Sequence, residues 1–324
     1  MTEKQVPFQS VIDALLDKKD FPGAYLQYFS DIDPHSLELL LKAWPDIKPG
    51  RKLSLLEQLE ATAEDDTLVS FDDFARALLA DPDPAVRARA IRLLMECEDP
   101  KLVPIYVRIL ESDEDENTRA EAAGVLGQYV MLGELDELPE KTHREVEDVL
   151  LRVAGGDDKV KIRRRALESL GFSSRPEVIT LIDSAFRRQD PDWKASALFA
   201  MGRSNDDRWQ DLVVQMILDE NTRVRLAAVQ AAGELALAAA RSILIGMLDD
   251  EEEDEIVGAA VWSLSQIGGE DARTFIESLI DQAEDDESVA FLEDALENLA
   301  FTEDLERFDL LSFDPEDTGD EDEG

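Results

Sequence analysis

Few residue types in this chain could do chemistry. It holds two histidines, His35 and His143, a single cysteine, Cys97, and 75 Asp and Glu against 33 Lys and Arg. One cysteine can form neither an intrachain disulfide nor a cysteine metal cluster. Cys97 falls in the apolar helix expected to start near Ala85 and reads as a small buried hydrophobe rather than a nucleophile. Carboxylate runs such as Glu251-Glu252-Glu253-Asp254-Glu255 lack the glycine-turn spacing of a calcium loop, so they read as solvated acidic turns. There is no glycine-rich phosphate loop and no convincing Ser-His-Asp set. No catalytic residue, metal ligand or cofactor is therefore expected.

The net charge of −42 sets the class of partner. A phosphate backbone is repelled by such a field, which excludes nucleic acid and leaves three accounts of the acidity: solubility, a basic partner, or a high-salt cytoplasm. Against this background the run Lys159, Lys161, Arg163, Arg164 and Arg165 stands out. It either neutralises neighbours such as Asp157 and Asp158 or offers a site to an acidic ligand. The opening MTEKQVPFQS lacks the apolar core of a signal peptide, and no run approaches the roughly 18 apolar residues of a membrane span. A cytoplasmic protein with no membrane partner is expected; oligomeric state is left open.

The elements that would position any site come from a repeat. Taking Val224 as position zero of DENTRVRLAAVQAAG, a base follows at one, Ala at four, small residues at seven and eight, and Gly at nine. The frame returns at Val86, Thr118, Ile162, Trp193, Ile256 and, weakly, Phe291, with steps of 32, 44, 31, 31, 32 and 35 residues. Positions zero, four, seven and eight share one face of a helix, while two and six lie opposite. Each unit reads as helix, acidic turn, helix, and such units bury their apolar faces only against neighbours.

Four segments follow. Residues 1–66 form an irregular helical cap, with helices expected over Phe8–Lys18, Pro22–Ser30, Ser36–Trp44 and Arg51–Ala63, and prolines 7, 22, 34, 45 and 49 between them. Residues 67–303 are one continuous array of about seven units. Residues 304–313 offer a C-terminal cap, and 314–324, with seven acids and no base, a disordered acidic tail. The 44-residue step places an insertion at Met131–His143, expected as a loop.

The motif Asp81-Pro82-Asp83-Pro84-Ala85-Val86-Arg87, continued to Ala90, resembles the HEAT repeats, in particular the short HEAT-like repeats of phycobilisome lyases, over about Phe71–Ala300. The resemblance implies an all-α, right-handed α-solenoid of stacked antiparallel helix pairs. It also implies a charge ladder in which Arg87, Arg119, Arg163, Lys194 and Arg225 face turn acids such as Asp83, Asp115, Asp190 and Asp219, lapsing at Val257. Two enzyme classes share this architecture. HEAT-like deoxyhypusine hydroxylases hold iron through repeated His-Glu pairs, which are absent here, since Ser36 and Arg144 follow the two histidines. Phycobilin lyases leave a chromophore- or cofactor-modifying lyase or accessory factor as the alternative function.

The outward positions suggest the primary reading. They carry Ala195 and Phe199, Leu226 and Gln230, Gly258 and Trp262 in the later units, against Arg92, Arg164 and Glu168 in the earlier ones. If these helices line the concave side, the C-terminal half presents an apolar groove with aromatic anchors. Packing against the tail helix or a neighbouring unit is the other reading. The expected function is a non-catalytic scaffold or adaptor that binds a protein or peptide partner, basic if the charge selects it, through Phe199, Leu226, Gln230, Trp262, Arg92 and Arg164.

Overall fold

The computed structural model describes residues 6–17, 19–283 and 285–311, with side chains as far as Asp304. Among these residues there is helix and turn but no strand. The cap consists of α1 (Phe8–Leu16), a 3-10 turn (Gly23–Phe29), α2 (Pro34–Ala43) and α3 (Pro49–Asp65). Then come α4 (Asp72–Leu78), α5 (Pro84–Leu93), α6 (Val103–Ser112), α7 (Glu116–Glu134), α8 (Glu140–Gly155), α9 (Val160–Ser169), α10 (Pro176–Phe186) and α11 (Pro191–Arg203). The last six are α12 (Gln210–Met216), α13 (Thr222–Glu234), α14 (Arg241–Leu248), α15 (Asp254–Ile267), α16 (Glu270–Ile280) and α17 (Asp286–Leu311). The chain forms two compact units, Met1–Val178 and Ile179–Gly324, and the boundary falls inside α10, a break that the repeat pattern does not mark.

Each unit is a stack of helix pairs. In the first, α4 packs on α5, α6 on α7 and α8 on α9; in the second, α12 packs on α13, α14 on α15 and α16 on α17. The second helices of successive pairs also pack side by side: α3, α5, α7 and α9 in the first unit, α11, α13, α15 and α17 in the second. Positions zero and four make this core, since Val86, Ala90, Ala122, Ile162, Ala166, Ala197, Val224, Ala228, Ile256 and Ala260 are all buried. Even Thr118 is fully buried at position zero, because its hydroxyl donates to the Pro84 carbonyl of the preceding pair, 3.1 Å away. The glycine at position nine has a steric cause: a Cβ on Gly233 would lie 2.8 Å from Ser263 Cα, and one on Gly202 2.9 Å from Ala231 Cα. Each of these glycines meets the small residue at position seven of the next unit.

The acidic turn carries two jobs on two residues, which corrects the expected ladder. The second acid caps the helix: Asp83 accepts from the amide of Ala85, Asp115 from Thr118 and Asp190 from Asp192. The first acid closes the turn and takes the base of the preceding unit. Asp113 accepts from the Asp115 amide at 2.9 Å and from Arg87 at 2.7 and 2.8 Å; Glu251 accepts from the Glu253 amide and from Arg225 at 2.7 and 3.2 Å. Arg119 pairs with Asp158 in the same way, and Lys194 lies 3.8 Å from Asp219. Of the four acids named from sequence, only Asp219 is the ladder partner of a base; Asp83, Asp115 and Asp190 serve as caps. The ladder thus runs forward from one unit to the next.

At the N-terminal end of the array the cap supplies the partners of the first turn acid. Asp81 is buried, accepts from Trp44 Nε1 at 2.6 Å and has Lys52 Nζ 3.9 Å away. Trp44 also packs edge-on against Phe74 of α4, which meets Phe29 of the cap. In place of the expected Pro22–Ser30 helix stands the 3-10 turn Gly23–Phe29, and Lys18, the expected end of the first helix, lies outside the described residues.

The expected insertion loop is mostly helix. The extra residues lengthen α7 and α8 to 19 and 16 residues, against 10 for α5 and α9, so only residues 135–139 connect them. The segment expected as a separate C-terminal cap continues α17 as far as Leu311, and the acidic tail from Asp314 lies outside the described residues. In α17 Ala295 and Leu299 are buried, as the weak frame expects at positions four and eight, but at position zero Phe291 is 38% exposed and its neighbour Leu292 is buried instead.

Candidate interaction surface

The second helices present their outward positions differently in the two units. In the second unit Phe199 on α11, Leu226 and Gln230 on α13, and Trp262 on α15 all reach the surface; Trp262 is 40% exposed and the others are half-buried. Gly258, one helical turn before Trp262, leaves its surface bare, and the Phe291 ring of α17 lies beside it. The Arg203 guanidinium stacks over the Phe199 ring, 4.1 Å from its centroid, which fixes the ring while leaving it at the surface. Phe199, Leu226 and Trp262 thus occupy three successive packed helices, and Phe291 extends the apolar surface to a fourth.

The same face of the first unit is closed by ion pairs. Arg92 bridges Glu60 of α3, 3.3 Å away, and Glu121 of α7, 2.8 Å away. Arg89 reaches Glu57 and Glu60 of α3, the latter at 2.5 Å. Burial pushes the Glu60 carboxyl above the usual carboxylate range, against the pull of Arg92 and Arg89. Arg165 pairs with Glu168 at 3.0 Å and covers Gly124, while Arg164 is half-buried. So the structure brings Phe199, Leu226, Gln230 and Trp262 onto one face of the second unit. Arg92 and Arg164 belong to the first unit, and the Arg92 guanidinium is already spent on holding helices together.

Cys97 is not inside the helix that begins at Pro84; it follows that helix in the turn and is only partly buried. Arg76 Nη2 donates to its Sγ at 3.1 Å, and the residue lines a cleft with Glu60, Phe71, Asp72 and Arg92. Burial pushes the thiol up, and a hydrogen bond with Asp72 adds to this, so it stays protonated at neutral pH and is a poor nucleophile. Trp209, at the start of a first helix, is buried. Among the described residues one set of donors able to hold a metal lies together: Glu134, His143 and Glu147. Inspection of the residue after each histidine misses this set. The signal is the spacing of four between His143 and Glu147 on one helix.

No helix among the described residues is long and apolar enough to cross a membrane. Comparison with curated proteins gives no match. Among solved structures, the chain is 17% identical to the complex of CpcE and CpcF of phycocyanin lyase from Nostoc, covering 70% of this chain and 94% of that one, with a TM-score of 0.45. It is 16% identical to human deoxyhypusine hydroxylase in complex with glycerol, covering 80% and 95%, with a TM-score of 0.35. It is 12% identical to an importin beta, covering 94% of this chain and 46% of that one, with a TM-score of 0.43. The family model for HEAT repeats matches residues 72–140 and 180–265, one stretch in each compact unit. With the stacked pairs, the forward ladder and this match, each unit carries HEAT repeats.

Proposed function

We propose that the chain is a non-catalytic protein-interaction scaffold whose second unit holds a partner segment across α11, α13 and α15. The observation that carries this reading is the alignment of Phe199, Leu226 and Trp262 on successive helices, at outward positions that the core does not use. Aromatic side chains held rigidly at a surface bury large area at small entropic cost, which is what a binding anchor requires. Charge supports a basic, apolar partner: from Ile179 onward the sequence has 38 Asp and Glu against 10 Lys and Arg. Such a field steers cationic segments, and the apolar row fixes their register. Gln230 adds an amide able to bond a partner backbone.

The test is quantitative affinity capture from native lysate at moderate salt, comparing the wild type with the Phe199→Ala/Trp262→Ala double variant. The proposal expects at least one protein held by the wild type and lost from the variant, with helicity by circular dichroism unchanged. Identical sets on both proteins would reject the surface.

A further inference from the structure

The helix extensions that account for the 44-residue step end in a cluster that neither the repeat nor the proposed scaffold uses. Glu134 closes α7, the chain turns through Asp136 at φ 60°, and α8 brings His143 and Glu147 onto one face. His143 Nε2 lies 3.8 Å from Glu134 Oε1 and 3.7 Å from Glu147 Oε1, and the donor atoms of all three residues lie within 4.8 Å of one another. We propose that Glu134, His143 and Glu147 form a binding site for a divalent transition-metal ion of the zinc class.

Four features point to an ion rather than to a hydrogen-bonded cluster. The ring nitrogen is shut off from solvent and has no hydrogen-bond partner, although two carboxylate oxygens face it. Its distances to them exceed the roughly 2.7–3.2 Å of a hydrogen bond. They lie close to the spacing of donors around a tetrahedral ion, since metal–ligand bonds of about 2.0–2.2 Å separate such donors by about 3.3–3.6 Å. The imidazole is also seated against bare backbone: a Cβ on Gly133 would fall 2.2 Å from its ring carbons, so any other residue there would displace it.

The carboxylates are oriented from behind. Glu147 is 3% exposed and accepts from Ser173 Oγ, and Glu134 accepts from the Ser174 amide at 2.8 Å. Such outer partners are how ligands are held in place for a metal. The nearby cations are engaged elsewhere: Arg175 donates to Asp148 at 2.6 Å and Glu177 at 2.8 Å, and Arg144 pairs with Glu140 at 2.7 Å. One imidazole and two carboxylates suit zinc better than calcium or magnesium, which take oxygen alone. A cleft of ≈ 500 Å³ opens on the three ligands, leaving the fourth position to water. An ion there would tie the end of α7 to α8 and, through Ser173 and Ser174, to the turn after α9.

The test is calorimetric titration of the metal-free full chain with Zn(II) in excess Mg(II), which occupies the acidic surface, and the same titration with Co(II) read by its visible absorption. One equivalent is expected, with a four-coordinate Co(II) spectrum. Ser173→Ala should weaken binding about 10–100-fold, and His143→Ala and Glu134→Gln should weaken it further. Glu134 sits at the exposed end of its helix, so Glu134→Gln decides the matter alone if His143→Ala fails to fold. A wild type that binds Zn(II) no more tightly than Glu134→Gln, or only at many weak sites shared by every variant, would overturn the proposal.

Discussion

The two units use the same scaffold and finish the same face in opposite ways. On the second helices of the first unit, Arg89 and Arg92 lock α3, α5 and α7 together with Glu57, Glu60 and Glu121. On those of the second unit, the outward positions two and six carry Phe199, Leu226 and Trp262, which stay at the surface, Phe199 beneath the Arg203 guanidinium. The charge differs too: 37 Asp and Glu face 23 Lys and Arg up to Val178, against 38 and 10 beyond it. A repeat needs its zero, four and seven positions for the core, so the outward positions are free to differ. One unit spends them on internal bracing, and the other leaves an apolar row inside a strongly acidic surface.

The sharpest way to break this contrast is to give the second unit the first unit's chemistry. Trp262→Arg should lower partner affinity by about 2 kcal/mol or more, the loss of an anchor residue, when binding is titrated at fixed salt. Next in size is the ladder, which the two units share. Arg87→Met and Arg225→Met each remove a paired guanidinium from a mostly buried carboxylate, Asp113 or Glu251. Each should cost about 1.5–3 kcal/mol in urea denaturation. Similar losses would show that bracing along the turns is independent of what the outward face does. A smaller effect is expected for Arg92→Leu, about 0–1 kcal/mol, because Arg92 is over a third exposed and Arg89 still holds Glu60.

The Arg225–Glu251 pair also sets a pH dependence. The Arg225 guanidinium holds Glu251 below the usual carboxylate range, and the Thr118 amide does the same for Asp115. A carboxylate depressed on folding contributes stability that is complete above its unfolded value and is lost as the pH falls through its folded value. The stability gap between the wild type and Glu251→Gln should therefore be open at neutral pH and close below about pH 4, as read from urea midpoints.

The repeat was legible because its constraints are local. Position zero faces inward wherever the frame is strong, and the two proline-flanked acids Asp81 and Asp83 announce a turn. The acids' division of labour was not legible, because Asp113 and Asp115 look alike in sequence and only the forward reach of Arg87 tells them apart. The off-period step was visible as a length, yet extra residues read equally as loop or as added helical turns. Phe291 was misplaced because a phenylalanine fits a core frame as well as a surface row, and the burial of Leu292 decides between them. Of the surface residues, Phe199, Leu226 and Trp262 followed from helical phase alone. The engagement of Arg92 by acids 29 and 32 residues away could not.

The most direct test of the central contrast is a single titration series. A peptide selected from a displayed random library on the full chain is measured against the wild type, Phe199→Ala/Trp262→Ala and Arg89→Ala/Arg92→Ala. The account predicts a peptide with apolar anchors and Lys or Arg flanks, an affinity loss of about a hundredfold in the first variant, and unchanged affinity in the second. Equal loss in both variants, or loss only in the second, would contradict it.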